Sequence, residues 1–423
     1  MRIPSRIAFC AGVVLALSDL NHAQGTTGTV TWNGKPVAEA RVTAAALGKR
    51  VRSDSAGAWS FSGSALAGPQ AIRSAKAESK GPGGSMSAFR DPSTGAWRRG
   101  DGRAVGAEVT RAAAMPFPKS AAPAIELRVT ARGYLPKTVT AADGDKGVAI
   151  VLERDYRRHL WIWAPEVLTN PAQRDSLFAF GARKGVGTFY ADAGGVLGSK
   201  DAQLAAFLDS AAAHGFAVEL LFGAPEWALT ANHGQAVKLA TQIKALTASQ
   251  DQNLRAVPTS IQYDVEPYSL DEYAADPNAV GSQWVDMYVK VAAELKGSGI
   301  GLTACVPRWL ETRSVTRAGK ARTLDRWLAD NSDRMTLMDY TDKAAGIKDG
   351  AAGELAYADS IGKEVVVGVE TIAGLDPPST TFAEEGEAAL EAALGNVDAD
   401  FRKHQSYFGP AIHHWESYRA LKP

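Results

Sequence analysis

The sequence predicts an α/β protein: a (β/α)8 barrel over residues 155–423, preceded by a small all-β sandwich over 26–154. Three observations predict it. From His159 onward, short apolar runs alternate with amphipathic stretches, which is what a parallel sheet with crossover helices requires. Eight such units in roughly 265 residues match the usual size of a closed barrel. No Gly-rich phosphate fingerprint follows any of the runs, so the alternation does not read as an open, doubly wound nucleotide-binding sheet.

The chain begins with a basic segment, Met1-Arg2-Ile3-Pro4-Ser5-Arg6, followed by an apolar run from Ile7 to Leu17 and a small residue at Ala23. That pattern describes a secretory signal peptide over 1–23 and a secreted or periplasmic location in a bacterium. The run is too short to span a membrane. Cys10 leaves with the leader, so Cys305 is then a lone thiol and the exported fold relies on its core rather than on a disulfide. The 46 Lys and Arg balance 46 Asp and Glu, and a net charge of zero argues against nucleic acid or an anionic lipid surface as partner. A polysaccharide or other glycan fits better.

Next come Gly28–Trp32 and Ala40–Ala44, alternating apolar and polar residues around the turn Asn33-Gly34-Lys35-Pro36, which predicts a β-hairpin. Further strands read at Ala58–Phe61, Ile125–Val129 and Val148–Leu152. With the Asp54–Gly57 turn and Arg132-Gly133-Tyr134, this stretch resembles the carboxypeptidase regulatory-like β-sandwich modules, and the resemblance implies a spacer or docking unit. Residues from about 64 to 124 are rich in Gly, Pro, Ser, Ala and Arg, and read as a long flexible insertion.

The barrel strands read as Leu160–Ala164, Gly187–Asp192, Ala217–Phe222, Ser260–Glu266, Leu302–Val306, Met335–Tyr340, Glu364–Glu370 and Ala411–Glu416. Loops after the strands converge at one end of such a barrel, so the last residue of each strand carries the chemistry. These ends hold Asp192, Asp264, Glu266, Asp339, Tyr340, Glu370, His413, Trp415 and Glu416. Asp264 and Glu266 are two apart and share a strand face. Carboxylates desolvated together split their protonation, one staying an acid while the other ionises, and glycoside hydrolysis needs that division. Some of the acids could equally anchor rim arginines.

Two resemblances follow from these residues. Asp264-Val265-Glu266-Pro267-Tyr268 looks like the fourth-strand end of retaining barrel glycosidases, which implies Glu266 as acid/base and Glu370 as nucleophile. Asp264-Val265-Glu266, Met338-Asp339-Tyr340 and Trp415 also resemble the fourth, sixth and eighth strand ends of chitinase-like, substrate-assisted glycosidases. That likeness implies Glu266 as proton donor, Asp264 and Tyr340 holding an acetamido group, and Trp415 under the sugar. Both make Glu266 the acid; its partner stays open among Glu370, Asp264 and Tyr340.

Aromatic residues cluster in or after the strands: Trp161, Trp163, Tyr190, Trp227, Tyr268, Trp309, Tyr340 and Trp415. Sugar rings stack on such side chains, and Trp415 and Trp227 are the chosen platforms, with Tyr268, Asp192, Asp339, His413 and Glu416 as further substrate contacts. His413 and His414, adjacent on a strand, would face opposite ways. No metal-ligand spacing, cofactor fingerprint or nucleophilic Ser or Cys context is visible. The expectation is therefore an exported glycoside hydrolase without a cofactor. The rival is a noncatalytic carbohydrate-binding or scaffold protein on a degenerate barrel, as Gln262 and Val265 would allow.

Overall fold

The computed structural model describes residues 25–61, 77–81, 84–90, 97–99 and 124–423. The expected leader, 1–23, and most of the 64–124 insertion lie outside these residues.

In chain order the first strands are β1 (Thr27–Trp32), β2 (Lys35–Pro36), β3 (Arg41–Ala44), β4 (Lys49–Arg52), β5 (Ala58–Ser60), β6 (Ala77–Gly81), β7 (Gly84–Arg90), β8 (Trp97–Arg99), β9 (Ala124–Thr130), β10 (Lys137–Ala142) and β11 (Val148–Val151). One four-stranded sheet places β2, β5 and β11 on β1, and a second runs β10-β9-β3-β4. Both contribute to one apolar cluster that includes Val30, Val42, Trp59, Leu127 and Ile150. The expected hairpin between β1 and the 40–44 strand does not form. The Asn33-Gly34 turn returns the chain for two pairs only, because Pro36 has no N–H to continue the ladder, and β3 crosses to the other sheet. Inside the insertion, read from sequence as irregular, β6, β7 and β8 pair antiparallel as a third sheet. The alternation in Ser85-Met86-Ser87-Ala88-Phe89 is its signal, diluted by flanking Gly and Pro.

The barrel strands are β12 (Arg158–Ile162), β13 (Val186–Asp192), β14 (Ala217–Phe222), β15 (Ser260–Tyr263), β16 (Gly301–Pro307), β19 (Arg334–Met338), β20 (Glu364–Glu370) and β21 (Tyr407–His413). They close in that order, all parallel, with β12 returning to pair β21. Between β16 and β19 the chain inserts a hairpin, β17 (Ser314–Arg317) and β18 (Lys320–Thr323), ahead of the helix Leu324–Asp330.

The eighth strand differs most from expectation: it runs 407–413, not 411–416. Gly409, at φ 96°, followed by Pro410 looks like a break in the sequence, yet the strand continues through it with a register shift against β20. Trp415 and Glu416 consequently sit on a single helical turn, Trp415–Tyr418, rather than at a strand end.

The barrel interior is filled, not hollow. Trp161, Tyr190, Leu221, Cys305, Met338 and Val366 form its apolar layer. Below them, Arg334, 1% exposed, pairs with fully buried Glu219 and donates to Glu364 at 2.9 Å, while Thr303 donates to Glu219 at 2.8 Å.

The β-module docks beneath this layer, at the N-terminal ends of the barrel strands. Arg41 and Arg50 each reach Asp251 at 3.0 Å, and the Arg154 guanidinium sits 3.9 Å from the Trp32 ring centroid and 4.3 Å from that of Phe408. A cleft of about 1340 Å³ runs along this seam, lined by both parts of the chain. It faces away from the end where a barrel performs chemistry, and its charged walls pair with one another. Asp251→Ala leaves Arg41, whose side chain is 8% exposed, without its carboxylate. The expected cost is about 3 kcal/mol, seen as a lower urea midpoint.

Candidate functional site

β15 ends at Tyr263, short of the expected Glu266, and the extended segment just past it brings the two leading acids together. This segment lies close on β14: the Asp264 amide donates to the Phe222 carbonyl at 2.8 Å, and a Cβ on Gly223 would fall 1.8 Å from the Asp264 carbonyl oxygen. Only glycine allows that approach. Val265 is fully buried in the cluster between sheet and helices, which sends Asp264 and Glu266 the other way, into the mouth. Burial, reinforced by the neighbouring charge of Glu266, pushes the Asp264 carboxyl up to about 7, against a hydrogen bond from the Cys305 thiol. Its Oδ1 is buried without a hydrogen-bond partner, as are both side-chain atoms of Gln262 below it. Glu266 accepts a hydrogen bond from the Tyr268 hydroxyl, and the Tyr268 ring meets Trp309 edge to face at 4.9 Å.

Across the mouth, Glu370 is fully engaged. Its Oε1 accepts from the amides of Thr371 at 2.7 Å and Ile372 at 2.8 Å, and its Oε2 lies 2.8 Å from His413 Nδ1. The other ring nitrogen of His413, Nε2, accepts from the Trp163 indole at 2.7 Å. This arrangement makes Nδ1 the protonated nitrogen of a neutral ring. Tyr340 stands beside His413 at 5.9 Å, and its hydroxyl feels the charges of Glu370, Asp264 and Glu266 as well as the burial that raises it. Six of the expected residues therefore converge: Asp264, Glu266, Tyr268, Tyr340, Glu370 and His413.

The others do not. Asp339 precedes Tyr340 and so faces the helix layer; a Cβ on Gly350 of the helix Ala344–Ile361 would lie 2.3 Å from its Oδ1. Arg308 caps it at 3.0 Å, while burial pushes it to about 7. Asp192 folds onto its own turn, accepting from the Gly194 amide at 2.8 Å. Trp227, partly exposed, packs edge-on at 6.1 Å against Tyr263 and donates its indole N–H to Gln235 at 3.1 Å. Trp415 is 4% exposed, within the outer core and with Arg419 over its ring. Trp415 is therefore closed to a sugar ring, whereas Trp227 is only partly covered. Glu416 pairs with His414 at 2.7 Å, and that hydrogen bond holds its carboxyl below the usual range. His413 and His414 lie edge to face at 5.0 Å, because the strand ends between them and its alternation no longer applies.

Sequence reasoning missed the roles of Trp163, Cys305 and Arg308. Trp163 could have been found: it is two residues beyond Trp161, on the same face, one step nearer the mouth. Nothing in the sequence pairs it with His413, 250 residues away.

Behind the rim, Glu354 is 1% exposed with neither oxygen hydrogen-bonded to another group, and burial raises its carboxyl to about 8. A carboxyl raised on folding holds a proton that the unfolded chain releases near 4.5, so stability falls as pH rises from there to about 8. Glu354→Gln should therefore gain most, about 1–3 kcal/mol, at pH 8, and little at pH 5, in paired urea titrations. Among the described residues no group of three or more His, Cys, Asp or Glu is placed to hold a metal ion, and no helix is long and apolar enough to cross a membrane.

No protein-family model matches the chain, and no curated protein does. Solved structures similar to it include a GH18 chitinase from Pseudoalteromonas aurantia, at 10% identity over 62% of this chain and 94% of that one, TM-score 0.40. An exo-beta-1,4-mannosidase from Opitutaceae bacterium strain TAV5 aligns at 12% over 62% and 52%, TM-score 0.42. A D-psicose 3-epimerase from Clostridium cellulolyticum H10 aligns at 11% over 61% and 84%, TM-score 0.36. Barrels of this kind host many chemistries, so function is argued from the chain's own residues.

Proposed function

We propose that this chain is an exported glycoside hydrolase acting on a polysaccharide or cell-wall glycan, with Glu266 as general acid and Asp264 and Tyr340 as its partners. One contrast carries the choice of partners. Glu370 has both oxygens engaged, by three donors, whereas Asp264 has a buried oxygen with no partner beside Glu266. A nucleophile needs an open lone pair aimed at the anomeric carbon, and three donors leave Glu370 only one, on Oε2. An unpartnered buried carboxyl oxygen suits an incoming N–H, as an acetamido group would supply.

In this reading Glu266 gives its proton to the leaving glycosidic oxygen, with Tyr268 fixing its carboxyl. The substrate's acetamido oxygen attacks the anomeric carbon from the opposite side as that bond breaks. Asp264 takes the hydrogen bond of the acetamido N–H, which gains positive charge in the transition state, and Tyr340 orients the acetamido oxygen. Water then opens the cyclic intermediate, returning the proton to Glu266. Glu370 acts through His413, keeping Trp163 upright as a wall for the sugar. The β-module, docked on the opposite face, is a spacer or docking unit like the carboxypeptidase regulatory-like modules it resembles.

The test is turnover on acetylated and fully deacetylated forms of the same oligosaccharides. Substrate assistance predicts cleavage of the acetylated form only. Cleavage of both, with activity of Glu370→Gly restored by azide, would instead make Glu370 the nucleophile. A wild-type protein that cleaves nothing across a broad glycan panel ends the enzyme reading in favour of a binding module.

A further inference from the structure

The turn after β16 carries features that the acid and its partners do not use. Trp309 lies against Tyr268, which donates to Glu266, so this aromatic pair is continuous with the proton donor. The Arg313 guanidinium is held over the Trp309 ring, 5.6 Å from its centroid, and among the described residues no hydrogen bond or ion pair engages it. Arg308, one residue before Trp309, spends a single nitrogen on Asp339 and leaves a side chain 40% exposed. The nearest acid on the same turn, Glu311, points elsewhere: its Oε2 lies 3.2 Å from where a Cβ on Gly353 would stand, on the neighbouring helix. The indole thus carries one uncompensated guanidinium, Arg313, while its chain neighbour Arg308 is engaged by Asp339.

A guanidinium stacked on an indole keeps its N–H edge outward, and that planar fork matches a carboxylate. The indole itself suits the C–H face of a sugar ring. We infer that the Trp309 turn is a subsite for a sugar bearing a carboxylate, a uronic acid unit, seated beside the bond that Glu266 protonates. The inference rests on the glycan-hydrolase reading and deepens it: the polymer would join acetamido sugars to uronic acids.

The experiment titrates the full chain carrying Glu266→Gln, which binds without cleaving, and follows heat release. Three probes are used: oligosaccharides alternating N-acetylated sugars with uronic acids, the same oligosaccharides with their carboxyls reduced to alcohols, and neutral N-acetylated oligosaccharides. The acidic probe should bind about tenfold more tightly than its reduced form at low salt, and Arg313→Gln should abolish that preference. Arg313→Lys, which keeps the charge and loses the fork, should retain part of it. Equal affinity for the acidic and reduced probes overturns the subsite while leaving the hydrolase reading intact. Failure of all three probes to bind overturns both.

Discussion

Glu266→Gln lowers turnover of the cleaved glycan by about 10²–10⁴-fold while leaving its affinity within a few-fold, the signature of a group that acts on the transition state rather than on the bound substrate. Glutamine keeps the shape and still accepts from Tyr268, so the mouth stays assembled, but it has no proton to give the leaving oxygen. The check is a pair of measurements on one preparation, initial rates and equilibrium binding. Equal loss in both would mean that Glu266 is only a contact. The pH profile supplies an independent reading. Asp264 and Glu266 form an interacting pair, and burial with the Glu266 charge brings the Asp264 carboxyl to about 7. The active form holds one proton between them, so activity should fall as pH rises through about 7, when that proton leaves. In Asp264→Asn the carboxyl raised to about 7 is gone, and the limb near 7 should be lost. A limb that stays in place would assign it to another group.

Arg334→Leu carries the largest expected effect on folding, about 3–5 kcal/mol. The side chain is 1% exposed, paired to a Glu219 that is fully buried, and bonded to Glu364. Removing it strands the buried Glu219 carboxylate, which among the described residues then keeps the 2.8 Å hydrogen bond from Thr303. The cost comes from that uncompensated charge rather than from the worth of the pair. The double replacement Arg334→Leu with Glu219→Leu should therefore recover most of the loss, and urea unfolding of the single and double variants measures it. A double variant as unstable as the single one would show that packing against Phe408, 5.4 Å from the guanidinium, is the dominant contribution.

Much of the frame was legible from residue order. Parallel strands buried on both sides are near-continuous apolar runs, and seven of the eight expected strands overlap the observed ones within a few residues. The eighth was displaced because Gly409-Pro410 ordinarily ends a strand, whereas here a register shift absorbs it. The error mattered: it carried Trp415 and Glu416 into the mouth, from which the helical turn removes them. Asp339 was misplaced for a simpler reason. Adjacent residues on a strand face opposite ways, and only the register of β19 decides whether Asp339 or Tyr340 enters the barrel. Asp264 and Glu266 escaped this ambiguity because both share one parity, and the apolar Val265 between them marks which side is the core.

Residue order carries the alternation that demands a closed parallel barrel, and it places two carboxylates, Asp264 and Glu266, at the end of the fourth strand. Those are local properties, written in spacing and in residue type. Tertiary structure alone decided which acids are free. Glu370 and Asp264 are both strand-end carboxylates in the sequence, yet the first is held by two backbone amides and a histidine 43 residues away, while the second keeps an oxygen with no hydrogen-bond partner. Hydrogen-bond satisfaction depends on what lies within about 3 Å, and for a closed barrel those neighbours come from strands far apart in the chain.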